Sequence, residues 1–379
     1  MQIDPTEEIL QLQESLAKVL SDGYDIRKRA RIGPDDPAAR TKAWATYADM
    51  GLLALSVSTR HEGFASSARD LAAVVECMAT KLTVEPYVAA LLAARAIDRA
   101  VDTDAGSEQL AQIMAGARLA AWAHSETGCQ SDRDVTCTAT RSASGSWAIK
   151  GRKRLVPGGD AADTLVVTAR CADGSTRLIL VAADAPGLSR TAYALQDGTR
   201  AADLDFVDVQ GTELGSAVPA AAVIAEVTAL GLALNCASAV GAMQESFRQT
   251  LEYTKVRQQF GRPISQFQAV QHRLAEMYVA LEEARSMSLI AAAAADAVAA
   301  GAGSHDRELA QAQLVVNRNG RFVCQQSLQL HGGIGMTEEC LVGHYWRRQN
   351  VCEQLFGNEA RHLAFLAGQG SPETAIQLR

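Results

Sequence analysis

Over the first 119 or so residues, apolar positions recur at three- and four-residue spacing, the period of helices with one buried stripe. Ile9, Leu12, Leu16, Val19 and Leu20 mark such a stripe. The run Tyr47–Leu55 ends in a turn-rich patch, STRHEGF. Ser66 or Ser67 is placed to cap the next helix, and Pro86 stands near the start of another, alanine-rich one. Around Leu119 the period changes to 2. LAAWAHSE, VTCTATRS, SWAIKGRKRLV, DTLVVTAR, TRLILVAAD and AADLDFVDV alternate or run apolar between clusters of Gly, Asp and Ser. Short strands spaced by turns predict a small β-barrel or sandwich. From Pro219 to about Gly368 the helical period returns, and the tail GSPETAIQLR is peripheral. The run Ala291–Ala295 reads first as helix propensity, with close helix–helix approach as the other reading. The succession is an α+β multidomain chain: a helical N-terminal domain (1–118), a middle β-barrel or sandwich domain (119–218) and a C-terminal helical bundle (219–379).

Composition narrows the function. Of 379 residues, 48% are hydrophobic and 21% charged, the balance of a soluble chain with ample core. A net charge of −7 leaves no basic footprint for nucleic acid or an acidic membrane surface. The eight cysteines are scattered without a C-x-x-C pair, and the seven histidines are equally dispersed, which argues against a zinc or redox motif. The opening MQIDPTEEILQLQESL is acidic and amphipathic, unlike a secretory leader. The longest apolar runs read as broken by charge or polarity before membrane length. A cytoplasmic, reduced, membrane-free setting is expected.

Candidate chemistry concentrates in Tyr253–Met277, YTKVRQQFGRPISQFQAVQHRLAEM. It reads as a helix end, a tight connector and a new helix, with Gly261 and Pro263 stopping the first and Ser265 capping the second. Lys255, Arg257, Gln259, Arg262, Gln266, Gln268 and Gln271 surround the break. That density of long donors fits an anion or nucleotide held at exposed backbone ends, or else a solvated helix hairpin.

This run resembles the "R-x-x-FG … FQ" signature of the acyl-CoA dehydrogenases. Gln329–Thr337, QLHGGIGMT, resembles that family's "Q-x-x-GG-x-G" loop. The resemblance implies a helical N-terminal domain, a middle β domain and a C-terminal four-helix bundle that packs into tetramers. It also implies FAD as cofactor, an acyl-CoA substrate oxidised at C2–C3, and electron-transferring flavoprotein as electron acceptor. In the family both motifs face the cofactor of a neighbouring subunit. They carry over to Arg257, Gln259, Phe260 and Gln268, and to Gln329, Gly332 and Gly333.

Other family features are missing. The reaction needs a carboxylate base, usually a glutamate in a "Y-E-G-T" turn. The matching residues are Phe356 and Gly357, so Gly357 stands at the base position. A minority of the family carries its base on the helix before "R-x-x-FG", where this chain has Gly231; Glu226 lies about 140° away round that helix. Glu359, or Glu353, is the outside candidate for a displaced base. The "T-E-P-x-x-G-S-D" loop reads Ser125 to Asp132, with Gln130 in place of a glycine. Leu155 and Pro157 replace the tryptophan and threonine of a "W-x-T" strand, and proline removes a backbone N–H.

The loss is one-sided: residues facing a neighbour's flavin remain, while the base and the cradle for the chain's own flavin do not. The pattern resembles the smaller, base-lacking subunits of heteromeric acyl-CoA dehydrogenases, which act on bulky acyl-CoAs such as steroid side-chain thioesters. The expectation is an α2β2 heterotetramer with a catalytic dehydrogenase subunit. The alternatives are a self-sufficient homo-oligomer with a displaced glutamate, and a non-catalytic acyl-CoA-binding or scaffold protein. His331 is expected to serve packing or a backbone hydrogen bond, Trp122 to fill core, and Arg347 and Arg348 to face CoA phosphate or solvent.

Overall fold

The computed structural model describes residues 5–23, 37–101, 104–127, 134–142, 145–215 and 218–368. Its contacts divide into two units, one of residues 1–25, 68–83 and 229–379, the other of 26–67 and 84–228. The helix–sheet–helix succession is as the sequence pattern predicts.

The first unit is helical: α1 (Glu7–Gly23), α3 (Ala68–Thr80), most of α6 (Ala220–Val256), α7 (Gln268–Ala299), α8 (Asp306–His331), α9 (Leu341–Cys352) and α10 (Glu359–Gly368). Ile9, Leu16 and Leu20 of the α1 stripe are buried, whereas Val19 sits about 100° round from Leu20 and is exposed. Ala291, Ala292, Ala294 and Ala295 are buried on α7, so these alanines serve packing and not propensity alone. The Ala68 N–H at the start of α3 donates to the Asp296 carboxylate at 2.6 Å. Asn235 and Gln313 side-chain amides both donate to the Cys352 carbonyl, tying α6 and α8 to the end of α9. α6 corrects one sequence reading: it holds a stretch long and apolar enough to cross a membrane, and 72% of that stretch is buried inside the protein.

The second unit carries the sheet, with α2 (Pro37–Asp49), α4 (Tyr87–Ala100) and α5 (Asp104–Met114). Its strands are β1 (Ala120–Ala123), β2 (Thr138–Arg141), β3 (Trp147–Pro157), β4 (Thr164–Arg170), β5 (Thr176–Ala182), β6 (Leu188–Ala194) and β7 (Arg200–Glu213). The order β4-β2-β3-β7-β5 closes on itself through β5–β4 pairing, so the sheet is a small barrel. Ile149, Leu165, Val167, Ile179, Leu204 and Val209 fill it. β6 pairs only with β7 and is mostly exposed, which is why hydrophobic alternation does not reveal it.

Candidate functional site

α6 ends at Val256, before reaching either Gly261 or Pro263, so neither residue stops it. The chain then forms a hairpin, Gln258–Gln259 against Arg262–Pro263. Its two turn residues, Phe260 (φ 54°) and Gly261 (φ 78°), are both left-handed, as the favoured two-residue hairpin turn demands. Phe260 takes this unfavourable conformation while 91% exposed. Ser265 does not cap the next helix. It lies in a 3-10 turn, Ile264–Gln266, and α7 starts at Gln268 from an extended Phe267 with no side-chain cap. The Ser265 carbonyl instead accepts the Gln271 amide at 3.0 Å. Arg257, Gln259, Phe260 and Gln268 are thus displayed at this junction, all exposed. The Arg257 side chain makes no ion pair or hydrogen bond among the described residues.

The second motif is the turn after α8. Gly332 (φ 64°, ψ −145°) caps the helix in a conformation open to glycine, donating to the Leu328 and Gln329 carbonyls. A Cβ added at Gly333 would meet no atom, so this chain's own packing does not require glycine there. Gln329, Gly332 and Gly333 line a cavity of about 810 Å³ together with Arg273, Gln325 and Trp346. Arg273, too, has no ion-pair or hydrogen-bond partner among the described residues. Sequence reasoning missed it, because it lies about 140° round α7 from Gln268. His331, at the end of α8, is buried; its Nδ1 lies 2.8 Å from the Ser327 carbonyl, and burial holds the imidazole below its usual pKa. It makes the expected backbone hydrogen bond.

The residue before one expected base position packs on the other. The Phe356 ring lies directly over the α-carbon of Gly231, so a Cβ there would overlap ring carbons. Phe356 (φ 59°) and Gly357 (φ 104°) are both left-handed. A Cβ on Gly357 would sit 2.9 Å from Arg361 Cδ and 3.2 Å from His362 Nε2. The nearby acids are engaged elsewhere. Glu353 receives Arg321 through two bonds, of 3.1 and 2.6 Å, and Glu359 pairs with Arg318 at 2.8 Å and with Arg321 at 3.5 Å. Glu226 is paired with Arg99 and Arg95; burial nonetheless pushes its carboxyl above the ordinary range.

In the barrel unit, Lys153 is fully buried and donates to Glu126 at 2.6 Å, Thr168 at 2.9 Å and the His124 carbonyl at 3.2 Å. Burial raises the Glu126 carboxyl, but the Lys153 charge and hydrogen bonds from Lys153 and Thr136 outweigh it and hold the pKa low. The altered strand is physically irregular: β3 shifts register between Lys153 and Val156, and Leu155 sits there at φ 49°. Gly128 to Asp132, with the Gln130 substitution, lie outside the described residues. Trp122 is buried, stacked on His124 at 5.5 Å, as core. Neither expectation for Arg348 holds, since it is buried and donates to the Thr83 carbonyl at 2.6 Å; Arg347 pairs with Glu338 at 3.0 Å.

The family described as "Acyl-CoA dehydrogenase, C-terminal domain" matches residues 222–370. The chain is 30% identical to the probable acyl-CoA dehydrogenase YngJ of Bacillus subtilis over 263 residues, which is 64% of this chain and 66% of that protein, just under two thirds. Among solved structures, a variant of the Tcur3481-Tcur3483 steroid ACAD superposes with a TM-score of 0.84 at 26% identity, covering 98% of each chain. The ChsE4-ChsE5 complex from Mycobacterium tuberculosis gives 0.84 at 22% identity, covering 98% of this chain and 100% of that one, a likeness of fold.

Proposed function

We propose that this chain is a member of the acyl-CoA dehydrogenase family and, within it, the base-lacking subunit of a heteromeric, FAD-dependent acyl-CoA dehydrogenase. The observation that carries the reading is the packing of the Phe356 ring, next in sequence to Gly357, against Gly231. Glycine occupies both base positions, one is covered by an aromatic ring, and the adjacent acids are neutralised by arginines. Carboxylates engaged by arginine side chains are not free to reach a substrate C2 proton.

The donors at the junction and the glycine turn suit a dinucleotide. Arg257 is exposed and unspent, and Gly333 has open space where a side chain would block backbone approach. In this reading Arg257 meets the pyrophosphate or adenosine end of the partner's FAD. Gln259, Gln268 and Gln329 supply amides, Phe260 an aromatic face, and Gly332 and Gly333 the backbone approach. Bound FAD supplies the hydride acceptor for oxidation at C2–C3 of an acyl-CoA thioester. The base comes from the catalytic partner, in an α2β2 heterotetramer. The likeness to a steroid ACAD supports a bulky acyl group, and electrons pass to an electron-transferring flavoprotein.

The test is to purify the chain alone and with its co-expressed catalytic subunit. The isolated chain should be colourless and inert toward acyl-CoA with a dye acceptor, whereas the co-expressed pair should be yellow and active. Turnover by the isolated chain would overturn the proposal.

A further inference from the structure

The proposed cofactor surface has two parts distant in sequence, the Arg257 hairpin and the Gly332–Gly333 turn, and one pair of side chains joins them. Tyr253 lies on the last turn of α6, where its carbonyl accepts the Arg257 N–H at 2.9 Å. His331 is the last residue of α8, adjoining Gly332. Their rings stack with centroids 4.3 Å apart and planes 19° from parallel, and the Tyr253 hydroxyl donates to the His331 carbonyl at 3.5 Å. A carbonyl only accepts, so the 2.8 Å contact to Ser327 places the ring hydrogen on Nδ1 and fixes the tautomer. On the backbone side, Gly335 packs so closely that a Cβ there would lie 3.0 Å from His331 Cβ. The imidazole is therefore located by three constraints: an aromatic face, a helix carbonyl and the glycine turn itself.

We propose that the Tyr253–His331 stack is a positioning clamp that holds Arg257 and the glycine turn in one register, so that both engage a single nucleotide. The proposal rests on the cofactor reading above. Neither residue is a catalytic one: Tyr253 acts through the turn of helix bearing Arg257, and His331 through the peptide entering Gly332. A guanidinium fork demands correct placement, and small displacements of such a group lose much of its effect.

The readout is the rate of FAD release, followed by recovery of flavin fluorescence after dilution of the assembly purified through a tag on this chain. Tyr253→Phe and His331→Phe keep the stacked rings and should release FAD at close to the wild-type rate. Tyr253→Leu should release it between ~10- and 100-fold faster, the scale of a misplaced binding group. His331→Gln removes the ring from the other side while keeping a donor for Ser327, and should do the same if Tyr253→Leu fails to assemble. In an Arg257→Lys background, which weakens FAD retention without abolishing it, the further effect of Tyr253→Leu should shrink, because both changes act through one contact. A merely structural role would lower thermal stability and leave the two effects multiplicative. Unchanged release in both ring-removing variants, or full multiplicativity, overturns the clamp. If Arg257→Ala itself leaves release unchanged, the cofactor reading falls instead.

Discussion

Replacing Gly231 by alanine adds one methyl group inside α6, where such a change ordinarily stabilises a helix by about 1 kcal/mol. Here the methyl would overlap the Phe356 ring. Overpacking a well-filled contact costs about 1–3 kcal/mol. The two effects oppose, so Gly231→Ala should range from neutral to about 2 kcal/mol destabilising. In a Phe356→Ala background the overlap is gone, and the same methyl should stabilise by up to about 1 kcal/mol. The coupling between the two sites is then about 1–3 kcal/mol. The assay is thermal unfolding of the four proteins of this cycle by far-ultraviolet circular dichroism. About 2–4 °C separates each kcal/mol in units of this size. Gly231→Ala that stabilises the otherwise wild-type chain, or shows no coupling to Phe356, would refute the placement of the ring. With it would go the reading that an aromatic ring covers one of the two base positions.

Arg257→Lys should weaken FAD retention in the heteromer and Arg257→Ala should largely abolish it, since a point charge does not replace a bidentate fork; flavin absorbance per assembly measures this. Glu353→Gln and Glu359→Gln should leave turnover almost untouched, where loss of a true base costs at least about a hundredfold, as steady-state assays with acyl-CoA will show. Glu126→Gln removes the carboxylate that faces the buried Lys153 ammonium, and should destabilise the barrel unit by about 3–5 kcal/mol in denaturant unfolding. Because the folded-state pKa of Glu126 is depressed, its contribution is present above the ordinary glutamate value and lost as pH falls through the lower folded value. The acid limb of wild-type stability should therefore be flatter in Glu126→Gln.

Much of the architecture was legible because burial imposes a period. The barrel strands other than β6 alternate or run apolar, and the helices carry stripes. β6 was not legible, since an edge strand with both faces largely wet has no reason to alternate. The junction was legible as a break but not as a hairpin. Nothing local announces that Phe260 accepts a left-handed turn, and Ser265 looks like a cap until the chain is seen to enter a 3-10 turn there. That glycine stands at the two expected base positions, Gly357 and Gly231, could be read from spacing alone. That Phe356 covers Gly231 required the fold, because those residues are brought together by tertiary packing and not by sequence. Arg348 misled for a similar reason: a charged residue on an amphipathic helix reads as exposed, yet its guanidinium serves the Thr83 carbonyl in the interior.

The central claim, that this chain completes a flavin site without owning one, is tested most directly by counting flavin. FAD released by denaturation is quantified by its absorbance against protein determined by amino-acid analysis, for the isolated chain and for the heteromer. The account predicts little FAD on the isolated chain and one FAD per pair of unlike subunits in the heteromer. A ratio near one FAD per chain in the isolated protein would contradict it.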